Sequence, residues 1–166
     1  MIDDTQSMAK KPPPLHTALK PFADKVCTAA LAVASIRNGD HVFVGTGCAA
    51  PASLLQALES MSSPPADVEL LHFFTIKAFE HDEGGRCTTR FRHRTFFVGA
   101  DMRAATKQGL VDYVPISIAR VPEMITLGRI PVDVALIQVS LPDAFGYVSL
   151  GVSWTSFLLP WPGHDW

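Results

Sequence analysis

The chain has 166 residues, 48% of them hydrophobic, with a formal net charge of −2. That length suits one domain with a sizeable core. The near-neutral charge excludes bulk electrostatic attraction to nucleic acid or to an anionic membrane.

The first 21 residues are polar and proline-rich and read as a flexible tail without the basic-then-apolar layout of a secretory leader. No run approaches the ~20 apolar residues of a membrane span. The three cysteines, Cys27, Cys48 and Cys87, form no CxxC pair, so reduced thiols in a cytoplasmic protein are expected.

Residues 22–36 place Val26, Ala29, Ala30, Val33 and Ile36 at helical spacing, and Asn38-Gly39-Asp40 turns the chain. A short apolar strand follows at 41–44, then a glycine loop at 45–50. A helix opens at Pro51, a residue suited to the first helical position because its missing N–H would be an orphan there. Residues 68–74 read as a strand buried on both faces.

The stretch 75–94 is the least regular. His81, Asp82 and Glu83 are adjacent rather than spaced as metal ligands, and the stretch reads as a solvated loop. The basic run Arg86, Arg90, Arg92, His93 and Arg94 reads as charged surface, with phosphate binding as the alternative.

A strand is expected at 95–98, a helix capped by Asp101 and ended by Gly109, and a strand at 111–116. A short helix follows at 121–127. Residues 132–139, VDVALIQV, are nearly all apolar and read as the central strand. A turn-rich loop then leads to an edge strand near 147–150. Strands alternating with helices imply an α/β fold, a mostly parallel sheet with helices on both faces.

In such sheets ligands collect at the carboxyl ends of strands, which puts 45–50 and 140–146 on one rim. Gly45 and Gly47 allow backbone angles that a side chain forbids, and a strand–glycine loop–helix aims N–H groups at an anion or a polarised carbonyl. A plain βα turn with small residues reads equally well from the loop alone. Cys48 reads as a small packing residue rather than an activated thiol. The spacing departs from the dinucleotide fingerprint, whose third glycine would fall at Ala50. Glu69, the nearest acidic residue to the ribose-binding position, lies inside a strand.

Three segments, VFVGTGCAAP, FRHRTFFVGADMRAATKQGLVDYVPI and IPVDVALIQVSLPDAFGYVSLGVS, resemble in this order the N-terminal half of the acetyl-CoA hydrolase/transferase family, which includes acetate and 4-hydroxybutyrate CoA-transferases. The resemblance covers residues 26–153, within an expected domain of 22–153. It implies a CoA-transferase-like N-terminal domain with coenzyme A as substrate, no separate cofactor and no metal. It implies covalent catalysis by a glutamate in a C-terminal half, passing through a glutamyl-CoA thioester, with none of Glu59, Glu69, Glu80, Glu83 or Glu123 in a matching motif. From this half it implies a CoA- or substrate-facing set: Gly45, Thr46, Gly47, Cys48 and Ala49 in the loop, and Gln138, Ser140 and Gly146 beyond the last strand.

Two departures stand out: Arg94 replaces an uncharged polar residue, and Arg120 replaces an acidic one. After Ser153 the match stops, and 154–166 reads as a divergent tail. Implied partners are acyl-CoA and carboxylate molecules and a complementary half or a second copy. The alternative is a non-catalytic fragment that binds CoA or a partner chain only.

Overall fold

The computed structural model describes residues 15–74, 80–81 and 87–151. Five strands make one parallel sheet: β1 (His41–Val44), β2 (Glu69–His72), β5 (Arg92–Thr95), β6 (Val111–Tyr113) and β7 (Val134–Leu136), in the order β6-β5-β2-β1-β7. A separate antiparallel pair, β3 (Glu80–His81) and β4 (Cys87–Thr88), interrupts the connection from β2 to β5. The helices are α1 (Ala29–Val33), α2 (Ala52–Glu59), α3 (Ala100–Lys107) and α4 (Val121–Thr126).

Period-two alternation divides the sheet's side chains between two layers. Val42, Val44, Leu70 and Leu136 pack with Val33 and Leu58 of α1 and α2. Phe43, Leu71 and Ala135 face the other way, toward Val121, Met124 and Ile125 of α4. Met102 and Ala105 of α3 pack on Val111. The fold is therefore α/β with helices on both faces, as the alternation of elements predicts.

Several boundaries differ from the sequence reading, each for a physical reason. The helix expected at 22–36 is split. A 3-10 helix runs over Thr17–Lys25, with Pro21 inside and a kink at Phe22, and Thr28 then starts α1 by accepting the Leu31 N–H. Of the five expected apolar positions only Val33 and Ile36 are buried.

Pro51 caps α2, its carbonyl accepting from the Leu54 and Leu55 N–H groups, rather than occupying the first helical turn. Gly99, not Asp101, is the N-cap of α3. The strand expected at 95–98 lies three residues earlier and is built from the basic run itself. Arg92 is exposed, Arg94 half-buried, and His93 and Thr95 buried.

β7 is at the edge of the sheet among the described residues, not at its centre, which belongs to β2. Val132, Val134, Ala135 and Leu136 are apolar because α4 covers one side and the α1/α2 layer the other. In place of a strand near 147–150 a tight turn forms. The Asp143 carboxylate accepts the Phe145 and Tyr147 N–H groups, and Ser140 and Ser149 close the base. The expected tail at 154–166, residues 1–14, and Asp82, Glu83 and Arg86 lie outside the described residues.

Candidate functional site

After β1, sequential strands step outward through β2, β5 and β6, and the chain then returns to place β7 on the opposite flank of β1. The order reverses between β1 and β7, and open parallel sheets form their ligand crevice at the carboxyl ends of strands at such a reversal. The glycine loop occupies that position. β1 ends at Val44, opposite Leu136 of β7, and the next N–H, of Gly45, donates to the Leu136 carbonyl at 2.8 Å. A Cβ on Gly45 would stand 2.9 Å from the Ala49 carbonyl oxygen, so the loop folds over a position that admits no side chain.

A 3-10 turn, Gly47–Ala49, follows with Thr46 as its N-cap. Gly47 has φ +56°, in the left-handed region where glycine is favoured. Its N–H donates to the Phe74 carbonyl at 2.5 Å, and the Ala49 N–H donates to Thr46 at 3.1 Å. The Cys48 N–H has no partner among the described residues, and the Cys48 side chain is exposed while Ala49 is buried. Among the described residues the loop thus offers an open backbone donor between two committed ones.

The chain leaving β7 passes Gln138, two residues beyond Leu136 and exposed. The Ser140 hydroxyl donates to the Leu141 carbonyl and accepts the Ser149 N–H. Gly146, at φ +88°, lies against Phe22, where a Cβ would be 3.1 Å from the ring. Gly45, Thr46, Gly47, Cys48 and Ala49 therefore form one loop at the carboxyl end of β1. Gln138 follows the strand beside it, and Ser140 and Gly146 belong to the neighbouring 140–149 turn.

The structure adds residues that sequence reasoning missed. Phe74 and Phe97, at the carboxyl ends of β2 and β5, meet edge-on with ring centroids 5.9 Å apart and are 43% and 51% exposed. The signal was present as paired phenylalanines, Phe73-Phe74 and Phe96-Phe97, in which one ring of each pair is buried and the other reaches the rim.

Deeper in the sheet, His72 Nε2 lies 3.2 Å from His93 Nδ1, and His93 Nε2 lies 2.6 Å from the Thr89 hydroxyl. Burial, reinforced by the neighbouring His93, pushes His72 down to about 3, and burial pushes His93 down to about 4, so both are neutral imidazoles near pH 7. Among the described residues no three His, Cys, Asp or Glu side chains are grouped to hold a metal ion, and no helix is long and apolar enough to cross a membrane.

Residues 15–158 match the family profile described as acetyl-CoA hydrolase/transferase N-terminal domain. The chain is 37% identical over 132 residues to a 4-hydroxybutyrate coenzyme A transferase of Clostridium kluyveri, covering 80% of this chain and 30% of that protein. It is 32% identical over 120 residues to a succinyl-CoA:acetate/propanoyl-CoA:succinate CoA transferase of Fasciola hepatica, covering 71% of this chain and 24% of that protein. The solved structure of RipA from Yersinia pestis superposes with a TM-score of 0.66 at 27% identity, over 81% of this chain and 33% of RipA. The chain spans about a third or less of the length of these relatives.

Proposed function

Because this chain belongs to the acetyl-CoA hydrolase/transferase family through that family's N-terminal domain, we propose that it forms the N-terminal part of an enzyme moving coenzyme A between carboxylic acids, or releasing it to water. The observation that carries this reading is the glycine loop 45–49 at the β1/β7 reversal, with its Cys48 N–H open among the described residues. A backbone donor there is suited to a polarised thioester carbonyl or to an amide of the pantetheine arm.

The chemistry we infer is nucleophilic catalysis by a glutamate. A carboxylate attacks the acyl-CoA carbonyl, forming an acyl-glutamyl anhydride and freeing the CoA thiolate. The thiolate attacks the glutamyl carbonyl, forming a glutamyl-CoA thioester and releasing the carboxylate product. An acceptor carboxylate reverses these two steps to complete transfer, and water in its place gives hydrolysis. Three of the glutamates lie away from the nucleophile's place. Glu59 ends α2, Glu69 begins β2 at the end away from the loop, and Glu123 is in the first turn of α4.

Following the family resemblance, we assign the glutamate to a C-terminal portion that pairs with this domain in the cytoplasm, either a further stretch of protein or a partner chain. In this reading the loop faces the thioester, and Gln138 and Ser140 flank it.

The test is an assay with acetyl-CoA and either acetate or succinate, products separated by chromatography, on this chain alone and with the C-terminal portion of the Clostridium kluyveri relative added. The expected result is no turnover alone and turnover on addition. Turnover by the chain alone in the enzyme range of roughly 1–1000 per second would overturn the assignment of the nucleophile. No turnover in either case, with no CoA binding, would favour a purely structural chain.

A further inference from the structure

We propose that Phe74 is a positioning residue that fixes the glycine loop, and that Gly99 is the seat that makes this possible. The ring is wedged between two glycines from different connections. One side, at Cδ1, is 3.9 Å from where a Cβ on Gly47 would stand. The other side, at Cε2 and Cδ2, is 2.7 and 2.9 Å from where a Cβ on Gly99 would stand, so the ring lies directly on the Gly99 backbone. Gly99 has φ −72°, an ordinary angle, so it is the space and not the backbone conformation that requires glycine there.

The backbone of the same residue completes the link. The Phe74 carbonyl accepts the Gly47 N–H, the bond that holds the left-handed glycine at the start of the 3-10 turn. Ring and carbonyl thus tie three crevice elements into one unit: the end of β2, the β1 loop and the β5–α3 junction. Phe97 supports the ring from its edge. The open donor at Cys48 is the next residue after Gly47, so its direction follows the Phe74 carbonyl. Precise placement of such a donor controls how well it meets a developing charge.

The part of this inference that concerns ligand rests on the CoA-binding reading above. The part that concerns the loop does not, and the experiment separates them. Gly99→Ala, Phe74→Leu and Phe74→Tyr are made in the full chain, and backbone amides are followed by nuclear magnetic resonance. A Cβ at position 99 displaces the ring. Losing the aromatic ring in Phe74→Leu unseats it, while Phe74→Tyr keeps it.

The expected result is Gly47 amide exchange faster by roughly tenfold or more in Gly99→Ala and Phe74→Leu, with Leu70 and Leu71 unchanged and Phe74→Tyr like the parent. Parent-like Gly47 exchange in both folded variants overturns the proposal, and so does an equal acceleration across β1 and β2, which would mark a global loss of stability. Titration with CoA itself, in the presence of the C-terminal portion of the Clostridium kluyveri relative, forms the second arm. A shift of the Cys48 amide in the parent and its weakening at least severalfold in Gly99→Ala support the ligand role. No CoA response in the parent removes the functional reading, and the exchange result still decides the positioning role.

Discussion

Glu69 is 4% exposed, and among the described residues neither carboxylate oxygen has a hydrogen-bond partner. Its compensation is ionic, with Arg94 Nη2 at 3.1 Å and Arg92 Nη2 at 3.9 Å. The Arg92 side chain is 61% exposed, so Arg94 is the stronger counter-charge. Removing one partner of a buried pair leaves a charge without compensation, which costs more than the pair itself contributes. Arg94→Ala is expected to lower unfolding stability by about 2–3 kcal/mol by denaturant titration, and Arg92→Ala by well under 1 kcal/mol, as for an exposed ion pair.

The same residue-scale reasoning separates two loop positions. Gly47→Val places a β-branched side chain at φ +56° beside the Phe74 ring, whereas Cys48→Ser changes an exposed side chain and leaves its N–H in place. Calorimetric titration with CoA, in the presence of the C-terminal portion, is expected to show a larger loss for Gly47→Val. Equal affinities in two folded variants would take the loop out of the site. The loop was legible in the sequence as a strand–glycine turn–helix junction, because Gly45 and Gly47 stand between an apolar run and a helical one. Arg94 reads from sequence alone as one member of a charged surface run, because its partner Glu69 lies 25 positions away and reaches it only through β2–β5 pairing.

At the scale of elements, β2 and β5 explain which strands pattern reasoning locates and which it does not. β1 was legible as an apolar run bounded by a turn and a glycine loop. β5 reads Arg-His-Arg-Thr, a polar string that becomes a strand because its two faces are satisfied differently: Arg92 and Arg94 toward Glu69, His93 and Thr95 into the sheet. Periodicity in hydrophobicity carries no trace of such pairing. β7 shows the reverse case, an edge strand that reads as central because helical layers cover both its faces.

The His72–His93–Thr89 chain across β2 and β5 has a pH consequence. Both histidines are held neutral in the fold, at about 3 and about 4, whereas the unfolded chain takes up protons through the ordinary value near 6.5. Below about pH 6.5 the unfolded state binds more protons than the folded one, so stability falls as pH falls, down to the folded values. At pH 7 and above this penalty is absent. The denaturation midpoint is expected to drop between pH 6.5 and 4.5, and His93→Gln is expected to flatten that drop. Asp133, held below the ordinary carboxylate value chiefly by the His41 backbone N–H, acts at lower pH and leaves this window to the histidines. A parent midpoint constant from pH 7 to 4.5 would contradict the buried-neutral assignment.

At the scale of the whole molecule, the sheet and its helical layers cover one another well, but the segment after β7 does not join either layer. Phe145 is 87% and Tyr147 76% exposed, and Val139, Leu141 and Val148 lie open nearby. Their turn is closed by its own hydrogen bonds through Asp143, Ser140 and Ser149, so the backbone is satisfied without burying the side chains. An apolar, internally braced projection after β7 suits a surface that the proposed C-terminal portion covers. If about 300 Å² of apolar area is buried there, at roughly 25 cal/mol per Å² the gross gain is about 7 kcal/mol. Association itself costs roughly 4–15 kcal/mol, so the chain alone is expected to self-associate weakly and reversibly rather than form a fixed dimer. Analytical ultracentrifugation over a hundredfold concentration range tests this. Phe145→Ser with Tyr147→Ser is expected to abolish association with little change in thermal midpoint, because neither ring contributes to the buried core. Adding the C-terminal portion of the Clostridium kluyveri relative is expected to suppress it in the parent. A monodisperse monomer at the highest concentration, with no binding of a dye that reports exposed apolar surface, would refute the account of this projection as a docking surface.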